Sequence, residues 1–254
     1  AMNSNWDLDQ AAALIVCSAE AAETAGVARD RWLFPHSGTD GADTNFVSNR
    51  ADLHSSPAIR VAGRKAMELA GVTPDDIDHV DLYSCFPSAV QIAATEMELG
   101  IDRQLTQTGG LTFAGGPLNN YVTHSIATMA NVLREDAGTV GLCSANGGYI
   151  TKHAFGLYST TPPSNGFKHQ DCQTEIDAFP SVDLDAEHVG SGTIEAYTVM
   201  HGADGPERGL ASVRTPNGRQ WAGTSDLPLM ESMMTEEHVG RSVQVLPDFS
   251  FELV

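Results

Sequence analysis

Apolar residues recur along this chain with two different periods, and the switches between them mark out its elements. Residues 8–17 are a nearly continuous apolar run with a β-branched end, which predicts a buried strand. Ser18 then opens a short helix to Ala25, stopped by Gly26. Residues 29–53 are polar, carry Gly38 and Gly41 and show no period, so a loop is expected. Ser55-Ser56-Pro57 reads as an N-cap with a first-turn proline, after which Ile59, Ala62, Ala66 and Leu69 keep helical spacing up to Gly71. A helical turn at 73–76, a strand at 79–83 and a helix from Pro87 to Gly100 follow. Residues 121–134 predict a helix with Ile126, Met129, Ala130 and Leu133 on one stripe. Residues 139–145 and 149–159 read as strands flanking an Asn146-Gly147-Gly148 turn.

Strands alternating with helices imply an α/β fold, with a mostly parallel sheet covered by helices. Ligands of such sheets sit at the carboxyl ends of the strands. The period is lost at Pro162-Pro163 and Ser164-Asn165-Gly166, which predicts a linker over 164–190. From Gly192 the period becomes two, with Ile194, Ala196, Thr198 and Met200 opposite Glu195, Tyr197 and Val199. Pro216-Asn217-Gly218 predicts a hairpin, residues 226–238 a helix and 242–254 a last strand. Several strands and one helix within 191–254 predict a small OB-like β-barrel.

Composition narrows the ligands. Lys and Arg total 14 against 33 acidic residues, a formal charge of −19, which repels nucleic acid and anionic lipid. Arg208, Arg214, Arg219 and Arg241 form no basic stripe on the β-barrel. No apolar run approaches the length of a membrane span, and no basic region precedes an apolar stretch at the start. Cys17, Cys85, Cys143 and Cys172 are widely spaced without a CxxC pair, which predicts no metal site and fits a reducing compartment, the cytoplasm.

Side chains able to do chemistry gather at the predicted strand ends. Cys85 ends a strand, and Ser144 and Asn146 sit at a strand exit beside two glycines, where a hydroxyl and an amide can donate to an acyl oxygen. Asn119 and Asn120 precede a helix that carries His124 one turn in. Lys152 and His153 follow the glycine turn in a strand whose buried face the sequence leaves open.

Three motifs carry a family resemblance. GGLTFAGGP at 109–117 resembles the signature loop of the thiolases, a glycine pair, four residues and then Gly-His-Pro, but Gly116 stands where that family has its histidine. Asp81-Leu82-Tyr83-Ser84-Cys85-Phe86 is similar to the Asn-Glu-Ala-Phe segment or to the His-Asp-Cys-Phe version of the sterol-carrier-protein thiolases. In either alignment Tyr83 takes the position that helps form an oxyanion site. The run from Gly141 to Gly148 is similar to Cys-x-Gly-Gly-Gly: aligning the glycines puts Ser144 at the catalytic cysteine, and aligning Cys143 there costs one residue.

The resemblance covers roughly the first two thirds of the chain, and it is to the second half of a thiolase. Thiolase-like proteins named acetyl-CoA acetyltransferases, some with an additional C-terminal domain, fit best. It implies four parts: 1–27, the last strand and helix of the N-terminal half; 28–163, the C-terminal domain; 164–190, the linker; 191–254, the additional domain. It further implies an acyltransferase, moving groups other than aminoacyl groups, with acyl-CoA as substrate and no covalently bound cofactor. The nucleophile would lie before residue 1, in the missing N-terminal half. That half, a second copy, or another lipid-metabolism protein would be the partner. Cys85, Ser144, Asn146 and His124 are the catalytic candidates, and Gly109, Gly110, Gly115, Gly116, Pro117 and Asn119 the coenzyme A loop. Glycine at 116 cannot accept a proton, so thiolase chemistry is expected to be atypical or lost. The alternative is a non-catalytic acyl-CoA-binding or scaffold protein in lipid or sterol metabolism.

Overall fold

The computed structural model describes residues 3–254. It divides into two compact units. The first holds the residues up to Asp43 together with His54–Phe179; the second holds Thr44–Leu53 together with Pro180–Val254.

In chain order the first unit contains α1 (Ala19–Thr24), β1 (Phe34–Ala42), α2 (Pro57–Ala70), β2 (His79–Asp81), α3 (Pro87–Glu96), α4 (Gly110–Phe113), α5 (Tyr121–Glu135), β3 (Val140–Gly147), β4 (Lys152–Ser159), β5 (Lys168–Asp171) and α6 (Gln173–Ile176). Its five strands run in the order β2-β3-β4-β1-β5. β2 pairs β3 and β1 pairs β5 in parallel, whereas β4 is antiparallel to both β3 and β1. The sheet is therefore mixed rather than mostly parallel. The reason is the tight connection from β3 to β4, which can only return the chain antiparallel.

The helices form where their caps and stripes lie. Ser56 accepts from the Ile59 N–H at 3.1 Å, Pro57 occupies the first turn, and Gly71 closes α2 in the left-handed conformation. α2 and α3 bury Ile59, Ala62, Ala66, Ala93, Ala94 and Met97 against Val80, Leu142, Phe155 and Leu157 of the sheet. α5 covers the opposite face, where Met129 and Leu133 pack on Cys143.

Three expectations are corrected here. Residues 8–17 form no strand: Ile15 is 94% and Val16 89% exposed, because no strand among the described residues offers them ladder hydrogen bonds. Within the expected loop 29–53 lies β1, an interior strand of the sheet. Its inward residues are polar, yet Ser37 and Thr39 donate from their hydroxyls to the Ala66 and Ala62 carbonyls of α2, each at 2.7 Å. Satisfied hydroxyls can be buried cheaply, and so they hide a strand from a hydrophobic pattern. Within the expected linker, β5 pairs β1, and Ile176 of α6 is buried in the first unit's core.

The second unit contains β6 (Gly190–Gly202), β7 (Gly205–Thr215), β8 (Gly218–Thr224), α7 (Leu227–Thr235), β9 (Ser242–Val245) and β10 (Phe251–Leu253). Its sheet runs β10-β9-β6-β7-β8, with every neighbour antiparallel. Gly223 of β8 bridges Ser250, next to β10, so the two outer strands come together. A bulge between Ile194 and Ala196 reverses the facing of β6. Tyr197 and Val199 therefore join Ile194 at the core, instead of Ala196 and Thr198.

Arg219 organises this unit. Its side chain is fully buried, its Nε pairs with Glu195, and its Nη1 donates to the carbonyls of Ser48 and Arg50 at 2.8 Å. Arg214 holds the other Glu195 oxygen at 2.7 Å and donates to the Ala51 carbonyl. Burial raises the Glu195 carboxyl, but Arg219, Ser212 and Arg214 together hold it below the ordinary glutamate value.

Candidate functional site

The carboxyl ends of β2 and β3 lie side by side, and this sets Tyr83 against Ser144. Ser144 Oγ accepts from the Tyr83 N–H at 2.9 Å, and Asn146 Nδ2 donates to Cys85 Sγ at 3.5 Å. Tyr83, Ser144 and Asn146 line one small cavity with Ile59, Ala89, Ala93, Ala145, His153 and Phe155. It is small, with a free volume of about 10 Å³, room for about one water molecule. Burial raises the Cys85 thiol above the ordinary cysteine value, so it sits beside the cavity as a thiol. Cys143, one residue before Ser144, is buried and pushed up to about 12 by desolvation. Of the two residues competing for the family's cysteine position, only Ser144 faces the cavity.

His153 is a residue the sequence named without a face. The strand alternation buries it with Phe155 and Leu157. Its Nε2 lies 3.7 Å from Asp43 Oδ2, an ion-pair distance too long for a hydrogen bond. Asp43 is bound in turn to the start of α2, accepting from Ser56 Oγ and, at 3.0 Å, from the Ala58 N–H. A carboxylate there also meets the positive end of the helix dipole. Burial pushes the Asp43 carboxyl up, but His153, Ser56 and Ala58 outweigh it and hold the carboxyl below its ordinary 3.8.

A depressed folded-state pKa stabilises the fold above the unfolded value and loses that contribution as pH falls through the folded one. Asp43→Asn should therefore cost about 1.5–3 kcal/mol near neutral pH, the scale of hydrogen bonds to a buried charge. The gap between variant and wild type should narrow only below about pH 3.8. Urea unfolding at pH 7 and pH 3 checks both; a gap that widens in acid would contradict the assignment.

The glycine loop lies around a second centre. Asp81 is fully buried and accepts from the N–H groups of Gln107 and Thr108 and from the hydroxyls of Tyr121 and Ser125, at 2.7–3.1 Å. Thr108 Oγ1 meets Tyr121 OH at 2.8 Å and accepts from the Gly110 N–H, while Ser84 Oγ accepts from Leu111 N–H, both at 3.0 Å. Burial, with the Asp81 charge beside it, raises the Tyr121 phenol and keeps it a donor. Gly110 has φ +76°, and a Cβ there would lie 2.6 Å from Ser84 Oγ, so the loop requires glycine. Gly116 differs: a Cβ would lie 2.6 Å from Leu111 Cδ2, and Leu111 is buried.

The remaining predicted residues stand apart from the cavity's walls. His124 Nδ1 is 2.7 Å from Gln10 Nε2, which also donates to the Ala114 carbonyl. The imidazole thus ties the amino-terminal segment to α5. Asn119 is exposed, and Gly109, Gly115 and Pro117 belong to the loop. Among the described residues no group of His, Cys, Asp and Glu is placed to hold a metal ion. No helix among them is long and apolar enough to cross a membrane.

Comparison with known proteins agrees with this architecture. Residues 39–101 match the family described as thiolase C-terminal domain-like, and residues 171–249 match the thiolase-like protein type 1 additional C-terminal domain. The chain belongs to the thiolase superfamily and has the fold of its C-terminal half. In particular, it is similar to the crystal structure of a monomeric SCP2-thiolase-like protein type 1 from Mycobacterium smegmatis. The two are 35% identical with a TM-score of 0.82, over 92% of this chain and 53% of that one. An acetyl-CoA acetyltransferase of Methanocaldococcus jannaschii is 36% identical over 31% of this chain and 20% of its own length. A 3-ketoacyl-CoA thiolase of Marinomonas sp. is 32% identical over 54% of this chain and 33% of its own. The chain thus spans about half of that structural relative and a third or less of these curated relatives.

Proposed function

We propose that this chain is the acyl-CoA-handling C-terminal half of a thiolase-class acyltransferase in which ordinary thiolysis is strongly reduced. One observation carries the reading: Tyr83, Ser144 and Asn146, at the family's motif positions, line a single cavity at the strand ends. The names of the curated relatives, acetyl-CoA acetyltransferase and 3-ketoacyl-CoA thiolase, support acyl-CoA as the ligand class. Gly116 favours the second reading, an acyl-CoA-binding or scaffold protein without catalysis, because the loop offers no imidazole there.

The N-terminal thiolase half is the partner this reading requires. Leu14, Ile15 and Val16 are exposed, apolar and consecutive, the character of a surface that something covers. The near-closure of the second sheet supports an OB-like barrel as its class, and the four free cysteines support a cytoplasmic setting.

The test is calorimetric titration with coenzyme A and acetyl-CoA, of the chain alone and after co-expression with an N-terminal thiolase half. Saturable binding that strengthens in the complex is expected. Absence of binding in both preparations would end the acyl-CoA reading.

A further inference from the structure

The amino-terminal segment lies along the glycine loop and is tied down over its length. The Ser4 N–H donates to the Cys85 carbonyl at 3.2 Å and the Asn5 N–H to the Leu111 carbonyl at 2.9 Å, while the Asn5 carbonyl accepts from the Gly116 N–H at 2.8 Å. Leu8 packs where a Cβ at Gly115 would stand, and Gly115 has φ +81°. Gln10 fastens the far end, and its hold on α5 is the His124 imidazole. Residues 4–10 therefore join two of the three motif segments to that helix.

This fastening has a fixed polarity. Gln10 Nε2 lies 3.0 Å from the Ala114 carbonyl and 2.7 Å from His124 Nδ1, and Gln10 Oε1 accepts from Asn120 Nδ2 at 3.1 Å. A backbone carbonyl can only accept, so the atom facing Ala114 is the amide nitrogen, and one of its two hydrogens goes there. The other points at Nδ1, which must be unprotonated to receive it. Neutral His124 thus carries its proton on Nε2. Turning the Gln10 amide over would set Oε1 against the Ala114 carbonyl and give up the bond to the loop. An imidazolium has an N–H on both ring nitrogens, so it and the closed fastening exclude one another.

The titratable groups around His124 leave that exclusion intact. The Tyr121 ring meets it edge-on at 6.4 Å, and its phenol, raised by burial and the Asp81 charge, stays a neutral donor to Asp81. Asp7 and Asp9 of the segment are exposed. Gln10 Nε2 is bonded to none of these groups, only to the loop carbonyls and His124.

We propose that residues 4–10 are an acid-released strap on the glycine loop, latched by neutral His124 and let go when the imidazole takes up a proton. Release frees the Gly116 N–H and the Leu111 carbonyl and uncovers the Gly115 backbone under Leu8. His124 is then a positioning residue for the strap. The device needs no ligand, so it stands or falls separately from the function proposed above.

The experiment measures solvent exchange of the Asn5 and Gly116 amides in the full chain by NMR at about pH 8 and about pH 5, the range over which histidines change charge. After correction for the intrinsic effect of pH on exchange, their protection should fall roughly five- to tenfold in acid, the scale of one lost hydrogen bond. The amides of β3 should keep theirs. In His124→Gln a side-chain carbonyl that cannot titrate in this range takes the place of Nδ1, and the acid loss should disappear. ¹⁵N-histidine labelling of the wild type gives a second readout that no variant is needed for: neutral His124 should show its proton on Nε2.

Protection that is the same at both pH values would overturn the latch. An acid loss that persists in His124→Gln would place the titrating group elsewhere and overturn it as well. So would a neutral His124 protonated on Nδ1.

Discussion

Assembled with an N-terminal thiolase half, this protein should cleave acetoacetyl-CoA about 10²–10⁴-fold more slowly than a thiolase with its histidine, the usual cost of a missing positioned base. Replacing Gly116 with histidine should not recover the loss. The backbone at 116 is in an ordinary conformation, so strain is not the obstacle. The obstacle is space. A Cβ there would meet the buried Leu111 side chain at 2.6 Å, and the Gly116 N–H already donates to the Asn5 carbonyl at 2.8 Å. Leu111 must move for any side chain to enter, which should cost about 1–3 kcal/mol as overpacking does. Tyr83 and Ser144 also differ from the motif, and groups that act as a unit are not restored one at a time. The measurement is steady-state thiolysis by the wild type and Gly116→His, with Gly116→Ala to separate crowding from chemistry. Wild-type turnover within tenfold of a histidine-bearing thiolase would sink the assignment, and His124→Ala would be made next.

Arg219→Met should destabilise the second unit by about 3–5 kcal/mol, the cost of stranding one partner of a buried ion pair. The lower end is expected, because the Glu195 side chain is 18% exposed and keeps Arg214 at 2.7 Å. The loss should be local at first. Nη1 donates to the Ser48 and Arg50 carbonyls, so the segment 44–53 should lose hydrogen-exchange protection before the strands do. Adding Glu195→Leu should return part of the stability, since the uncompensated carboxylate is then gone. Urea unfolding of the two variants, with exchange measured at 47–51, decides it. A loss under about 1 kcal/mol would mean that Arg219 is not the unit's organiser.

Much of the helical layer was legible because its signals are local. Ser56-Pro57 and Gly71 bracket α2, Pro87 starts α3, and the stripe through Met129 and Leu133 faces the sheet in α5. The strand β1 was hidden for the opposite reason. Its buried hydroxyls look polar in sequence and become core only when α2 supplies the Ala62 and Ala66 carbonyls. Residues 8–17 mislead in the other direction, because apolarity predicts a buried strand and cannot supply the neighbour that would bury it.

The same division runs through the site. Tyr83, Ser144 and Asn146 could be named because they occupy motif positions at strand ends. Asp43 could not, since it lies in a polar stretch without a period and meets His153 only through tertiary structure. His153 was half legible: the sequence placed it in a strand and left its face open, and the structure buries it on the same face as Phe155 and Leu157. Asp81 stood inside a quoted motif, but its role depends on Gln107, Thr108, Tyr121 and Ser125 converging from other elements.

The segment 44–53 has a consequence for modularity. The chain enters the second unit after Asp43, leaves it before His54 and enters again after Phe179. A fragment beginning near Ser191 thus omits the Ser48 and Arg50 carbonyls that receive the Arg219 guanidinium, together with Asp183, whose carbonyl accepts from the Arg219 N–H at 2.9 Å. The β unit cannot be cut out or grafted at a single joint. Shuffling by recombination would have to move two separated stretches at once, so unit and host are expected to be inherited together.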